Sequence, residues 1–409
     1  MEFEIHTLSN GIRIIHKQIK TCEVSHCAII VNAGSRDEEI KEHGVAHFIE
    51  HSMFKGTNKR KSFHILNRLD AVGGELNAYT TKEITCIHAS FLHEHYERAV
   101  ELISDITFNS TFPEKEILKE KEVIIDEINS YKDSPSEQIF DDFESQIFGN
   151  HPIGRDILGT VSSLKKLNRN NLIDFINKHY LVSNMVFSSV GNLSMKKVIA
   201  IAEKHLGGYQ NDKTEIQRLP FKEYLPSNKT IKKSHYQSHA IIGNIAYSRM
   251  HQNKTGLILL NNILGGPAMN SRLNLAIREK YGFTYNLESN YSAYSDTGVF
   301  SLYLGTDNKY LDKTISLVKQ ELKKLRDKKL GISQLQSAKK QIIGQLALSE
   351  ESKSGTMLAL GKSLLLLNKV ETLPEIYSKI ESLTSDDLLE IANEIFDENQ
   401  LSSLVLIGK

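Results

Sequence analysis

Ser25-His26-Cys27-Ala28-Ile29-Ile30 leads on to Ser35-Arg36, and Ser238-His239-Ala240-Ile241-Ile242 leads on to Ser248-Arg249, at a constant offset of 238 − 25 = 213 residues. Further features keep the same order. Gly73-Gly74 and Tyr281-Gly282 each open an alternating, strand-like run before a helical segment. Phe187-Ser188-Ser189-Val190-Gly191 and Leu404-Val405-Leu406-Ile407-Gly408 are both β-rich pieces ending in Gly, each preceded by a polar helical stretch. The chain therefore reads as one unit used twice. Between the copies, Gly207-Gly208 to Ser238 carries Pro220, Pro226, Asn228 and several Lys, the composition of a connector. This divides the chain into a first domain over 1–206, a linker over 207–237 and a second domain over 238–409. Each half mixes alternating strands (Cys86 to Phe91, Gly298 to Leu304) with amphipathic helices (His95 to Phe108, Tyr310 to Leu325). The expected class is α+β: two homologous, sandwich-like domains, each a mainly antiparallel sheet packed with helices.

Composition sets the outer limits. A chain of 409 residues with 50 basic and 50 acidic side chains has no formal net charge, which excludes a polyanion-binding tail. The 40% hydrophobic and 24% charged fractions are those of a globular chain long enough for two or three cores. Three cysteines, Cys22, Cys27 and Cys86, cannot all pair, and no C-x-x-C occurs, which suits a reducing compartment. The start, Met-Glu-Phe-Glu-Ile-His, lacks the basic and apolar regions of a secretory signal and reads as a first strand. A cytoplasmic location is expected. The most apolar stretch, Leu358 to Leu367, is broken by Gly361, Lys362 and Ser363 and falls short of the ~20 residues of a bilayer span.

The window that carries chemistry is His43-Gly44-Val45-Ala46-His47-Phe48-Ile49-Glu50-His51, which contains H-x-x-E-H. On a helix turning ~100° per residue, His47 and His51 point the same way one turn apart, with Glu50 beside them. Two neutral imidazoles suit zinc, and an adjacent carboxylate can take a proton from water whose pKa the metal lowers toward ~7. The same pattern arises by chance on a solvated helix, but Val45, Ala46, Phe48, Ile49 and Met53 make this one apolar over most of its circumference. A buried imidazole and carboxylate need partners. A catalytic zinc keeps three protein ligands, so a third is sought elsewhere. Pro113 starts a helix over Glu114 to Asn129, on which Glu120 and Glu127, 127 − 120 = 7 residues apart, share a face near Ile117, Ile124 and Ile128. Glu114, Glu116 and Glu122 read as surface carboxylates.

These residues resemble the pitrilysin/insulinase metallopeptidases, and within them the short-chain branch of mitochondrial processing peptidase and its bacterial relatives. That family carries H-x-x-E-H and a zinc-binding Glu roughly 75 residues beyond the second His; here 127 − 51 = 76. The resemblance implies that His47, His51 and Glu127 hold one Zn2+ per chain, that Glu50 is the general base, and that Glu120 is a helper carboxylate behind the ligands. It covers nearly the whole chain, duplication and connector included.

The resemblance also points to substrate residues. Gly73-Gly74-Glu75-Leu76-Asn77-Ala78 reads by itself as a glycine turn into a hairpin strand. In the family this segment is an edge strand that pairs with an extended peptide, making Gly74, Asn77 and Ala78 substrate contacts. Arg278 and Tyr285, 285 − 278 = 7 apart, match a family pair that contacts substrate near the scissile bond, the Tyr hydroxyl stabilising the oxyanion. Arg272 is the competing arginine, and Pro267 and Asn270 depart from the family's glycine-rich loop after Gly265-Gly266. The second half has no H-x-x-E-H. A chain of this length with both elements resembles the homodimeric bacterial type, in which two copies enclose a chamber that admits short or unfolded peptides; a heterodimer with a related subunit is the alternative assembly. The expectation is a zinc metalloendopeptidase. The competing reading is a non-catalytic binding or assembly subunit, against which stands the intact set of four polar positions. A metal-dependent hydrolase of non-peptides is disfavoured by the peptide-pairing strand. Lys59-Arg60-Lys61 has no aromatic platform, so no nucleic-acid partner is expected.

Overall fold

The computed structural model describes residues 3–210, 217–234 and 236–409. The first sheet has six strands: β1 (Glu4–Thr7), β2 (Arg13–Gln18), β3 (Val24–Val31), β4 (Glu75–Thr80), β5 (Thr85–Leu92) and β6 (Met185–Gly191), in the order β1-β2-β6-β3-β5-β4. The second has five: β7 (Asn228–Lys232), β8 (Ser238–Ala246), β9 (Thr284–Ala293), β10 (Gly298–Thr306) and β11 (Ser402–Ile407), in the order β7-β11-β8-β10-β9. Among the described residues, only β2/β6 and β7/β11 pair in parallel, and every other neighbour is antiparallel. Strand by strand, β2, β3, β4, β5 and β6 match β7, β8, β9, β10 and β11 in order and sense, and β1 has no counterpart among the described residues. The Ser25 and Ser238 segments fall on matching strands, β3 and β8, and the two glycine turns open the matching edge strands β4 and β9. The class is α+β, as expected.

Why each sheet is covered on both faces follows from the strand sequences. From Cys27 to Val31, β3 is apolar without alternation: Cys27, Ile29 and Val31 enter the main core, while Ala28 and Ile30 face the other way. Such a strand needs cover on both sides. One face of the first sheet is packed by helices including Val45–Ser52, Ser62–Asp70, Tyr96–Phe108 and Met195–Leu206. The other is packed by the helix Lys353–Leu367, whose Met357, Leu364 and Leu365 meet Ile15, Ala28, Ile30 and Val186. Gly361 makes that approach close: a Cβ there would lie 2.6 Å from Ile30 Cδ1 and 2.7 Å from Ser188 Cβ. Ser188 Oγ donates to the Met357 carbonyl at 2.6 Å. In the second sheet Ala240, Ile242, Phe300, Leu302 and Leu304 face one core, and Ile241, Val299, Tyr303 and Leu404 face Ile139, Phe143 and Ile147 of the helix Pro135–Phe148.

Each unit is one mainly antiparallel sheet packed with helices, as expected. The expected boundaries are corrected, because the compact units are not contiguous. One comprises Met1–Asn129, Arg155–Leu219 and Leu348–Thr372, the other Ser130–Gly154, Pro220–Ala347 and Leu373–Lys409. Each sheet therefore takes one covering helix from the opposite half of the sequence. The stretch expected as the linker over 207–237 is divided as well. Residues 211–216 and 235 lie outside the described residues, Arg218 and Leu219 belong to the first unit, and β7 is an edge strand of the second sheet. The three cysteines are buried and free, and among the described residues no helix is long and apolar enough to cross a membrane.

Candidate metal centre

The H-x-x-E-H segment is a helix, Val45–Ser52, buried along Val45, Ala46, His47, Phe48 and Ile49. Its N-cap Gly44 is left-handed (φ 93°), and an added Cβ would stand 2.9 Å from the Leu158 carbonyl oxygen and 3.0 Å from Gly159 Cα. Glycine is required there for both reasons. Gly44 has no side chain to cap with, so Glu38 does the capping: its Oε2 accepts from Gly44 N and its Oε1 from Ala46 N, both at 2.9 Å. The second helix, Glu114–Lys132, buries Ile117, Glu120, Ile124 and Ile128, which carries Glu127 along the same face half-buried.

The two helices bring His47, His51 and Glu127 together, with one ligand atom from each inside a mutual 4.8 Å. Glu127 Oε2 lies 3.9 Å from His47 Nε2 and 3.5 Å from His51 Nε2, and the two rings are 4.6 Å apart between centroids. These gaps are long for hydrogen bonds. They are close to the ~3.4 Å separation that a tetrahedral ion with ~2.0–2.2 Å bonds imposes on its ligands. The donor set, two imidazoles and a carboxylate, is also that of a catalytic zinc, so the residues fit the metal. Behind them, Glu120 Oε1 stands 3.5 Å from His51 Nδ1, and its Oε2 pairs with Lys55 Nζ at 2.7 Å. A carboxylate on the far nitrogen of a ligand imidazole holds the ring's tautomer and direction.

Glu50 is half-buried beside Thr80 at the end of β4. Burial raises its pKa, with Glu127 adding to the rise and Thr80 and His51 opposing it. Burial likewise raises Glu127, against the pull of His51. His47 is lowered to about 3, first by burial and then by His51, and its Nδ1 has no hydrogen-bond partner among the described residues. The buried His179 is lowered to about 4, mainly by burial. Both are depressed below the ordinary ~6.5, so the folded chain keeps them neutral while the unfolded chain protonates them. Their contribution to stability is complete above about pH 6.5 and is lost as pH falls toward 4. The melting temperature of chelator-treated protein should therefore fall over that window, and His47→Gln should flatten the slope. Equal slopes for the two proteins would contradict this.

Of the substrate residues, Asn77 is exposed and Ala78 half-buried on β4, which pairs with β5 on one side only and packs on the motif helix. Gly74 is buried where a Cβ would press on the Ser90 carbonyl oxygen and Phe91. Arg278 and Tyr285 belong to the second unit. Arg278 lies in the helical turn Asn274–Glu279, and Tyr285, on the edge strand β9, is 83% exposed. Glu38, Lys55 and Thr80 are the residues that sequence reasoning passed over. Lys55 follows His51 by one helical turn, a spacing that could have found it; Glu38 has no such signal.

Two family models match the chain: insulinase (peptidase family M16) over residues 13–161, and the peptidase M16 inactive domain over 166–342. The uncharacterized zinc protease YmxG of Bacillus subtilis is 34% identical over 98% of this chain and 97% of its own length. The chain belongs to the insulinase family, peptidase family M16. An uncharacterized zinc protease of Rickettsia felis is 32% identical to this M16 chain, again over 98% and 97%. Solved structures match the M16 fold over the whole chain. A peptidase M16 inactive domain from Pseudomonas fluorescens has a TM-score of 0.92 at 19% identity, covering 100% of this chain and 98% of its own. A protease from Helicobacter pylori has 0.90 at 21%, covering 99% of each. The half of this M16 chain without H-x-x-E-H is largely the half that matches the inactive-domain model.

Proposed function

We propose that the chain is a zinc metalloendopeptidase that hydrolyses peptide bonds in short or unfolded peptides, with one zinc per chain. The observation that carries this reading is the convergence of His47, His51 and Glu127, with Glu50 half-buried on the same helix turn. The zinc protease names of its relatives point the same way. Zinc, when bound, supplies a Lewis acid that lowers the pKa of water toward ~7 and polarises a carbonyl. His47, His51 and Glu127 would hold it, and Glu120, itself held by Lys55, would keep His51 aimed. Glu50 takes the proton of the attacking water on its carboxylate and returns it to the leaving amine, a role that its raised pKa suits.

The open edge of β4 supports a peptide substrate. An extended segment can add there as a further strand, reading main chain rather than side chains, with Asn77 and Ala78 alongside it and Thr80 leading toward Glu50. A folded protein cannot present a free strand in this way. The roles of Arg278 and Tyr285 in binding substrate and stabilising an oxyanion rest on the family resemblance, as does a closed chamber formed by two copies.

Metal removal tests the reading. Chelator should abolish cleavage of an unstructured peptide, one equivalent of zinc per chain should restore it, and the same sequence inside a stable fold should resist. Undiminished cleavage in chelator, or a chain that binds no zinc, would refute it.

A further inference from the structure

We propose that Arg218, in the stretch expected to be a passive connector, is a positioning residue for the motif helix: it latches the turn over residues 34–38, and through Glu38 that turn sets the helix's first residues. The inference rests on reading His47, His51 and Glu127 as a zinc site.

Arg218 grips Asp37 with two parallel bonds, Nε to Oδ1 at 2.8 Å and Nη2 to Oδ2 at 2.9 Å. Its Nη2 also reaches the carbonyls of Glu83 at 2.9 Å and Asn32 at 3.3 Å. The next residue takes part: the Leu219 carbonyl accepts from Arg36 Nη2 at 2.8 Å. Arg36 Nη1 in turn pairs with Glu83 Oε1 at 2.7 Å, with side chains only 1% and 3% exposed. The turn's backbone is joined to the loop between β4 and β5 by Ser35 N to the Thr81 carbonyl at 3.1 Å and Arg36 N to the Lys82 carbonyl at 2.8 Å. Thr81 follows Thr80, the neighbour of Glu50. Glu38, the residue after Asp37, caps the motif helix.

The Asp37 carboxylate is thus buried with Arg36 and Glu83, and the half-buried Arg218 completes a balanced group of two arginines and two carboxylates. Without Arg218, Asp37 keeps the Gly34 amide at 2.9 Å but loses its opposite charge. A buried carboxylate in that state is too costly to persist, so the turn must rearrange. Asp37 and Glu38 are consecutive, so a rearranged turn pulls on the cap and with it on the placement of His47 and Glu50. Displacements of about 1 Å at a reacting group cost about 10²-fold in rate. Lysine cannot substitute, because a point ammonium does not reproduce the fork.

A residue that only secures the connector would alter melting temperature and nothing else. The test is made on the full chain with Arg218→Met, Arg218→Lys and Asp37→Asn, at a temperature where each remains folded. Zinc affinity is read by chelator competition, and kcat and KM on an unstructured peptide. All three should weaken zinc binding by about 10-fold, the lower end for lost supporting contacts, and lower kcat with KM changed by less than about twofold. Adding Arg218→Met to Glu38→Gln should weaken zinc binding no further than Glu38→Gln alone. Val198→Ala, a core substitution in the Met195–Leu206 helix, should lower the melting temperature and leave zinc affinity unchanged. Wild-type zinc affinity and kcat in all three variants would overturn the inference while leaving the zinc site intact. A wild-type chain that binds no zinc would overturn both.

Discussion

Glu50→Gln is expected to lower kcat by about 10³-fold while zinc stays bound, within the range that general-base groups contribute. The amide has the shape of the carboxylate and leaves His47, His51 and Glu127 untouched, so the three-ligand set persists. What it removes is the acceptor for the proton of the attacking water. Burial raises the Glu50 pKa, which makes the carboxylate a stronger base than an exposed one, and no other carboxylate belongs to the motif helix. The measurement is kcat together with metal content on the same preparation. Activity at the wild-type level with zinc in place would remove Glu50 from the mechanism.

Glu127→Ala is expected to cost more zinc affinity than Glu120→Gln, and the order is the informative part. Glu127 Oε2 faces both imidazole Nε2 atoms, so its loss takes away one of three donors. Glu120 faces the far nitrogen of His51 and the Lys55 ammonium, so its loss disturbs only how a ligand is held, for which about 10–100-fold is usual. Glu127→Ala should therefore exceed 100-fold, and activity should vanish at zinc concentrations that saturate the wild type. Competition with a chelator of known affinity measures both. Equal losses, or a larger loss at Glu120, would mean that the carboxylates have been assigned the wrong way round.

How far the sequence could be read depends on the distance over which its patterns act. The pairing of His47 with His51 was legible because helical period is local, and the shared face of Glu120 and Glu127 for the same reason. The meeting of the two helices was not; the gap of 76 residues has meaning only beside a family that shows it. The duplication was legible because Ser25 and Ser238 begin matching strands. Pairings such as Arg218 with Asp37, 181 residues apart, leave no mark on either neighbourhood. Burial on both faces of β3 was visible in Cys27-Ala28-Ile29-Ile30-Val31. Helices were the expected cover; that one of them comes from far away in sequence, Lys353–Leu367, was not legible. Leu358 to Leu367, too short for a bilayer span, is apolar because it lies on β3 and β6.

The traded helices also bear on the order of synthesis. A chain that emerges from the ribosome amino end first usually completes its first domain before the next has been made. Here the outer side of the first sheet, with Ile15, Ala28, Ile30 and Val186, stays bare until the residues through Leu367 have been translated. The nascent amino-terminal half must therefore wait, sticky and unfinished, for almost the whole message to be read. A gene split between residues 210 and 217 would yield two products, neither carrying all of its own roof, that could mature only in each other's company.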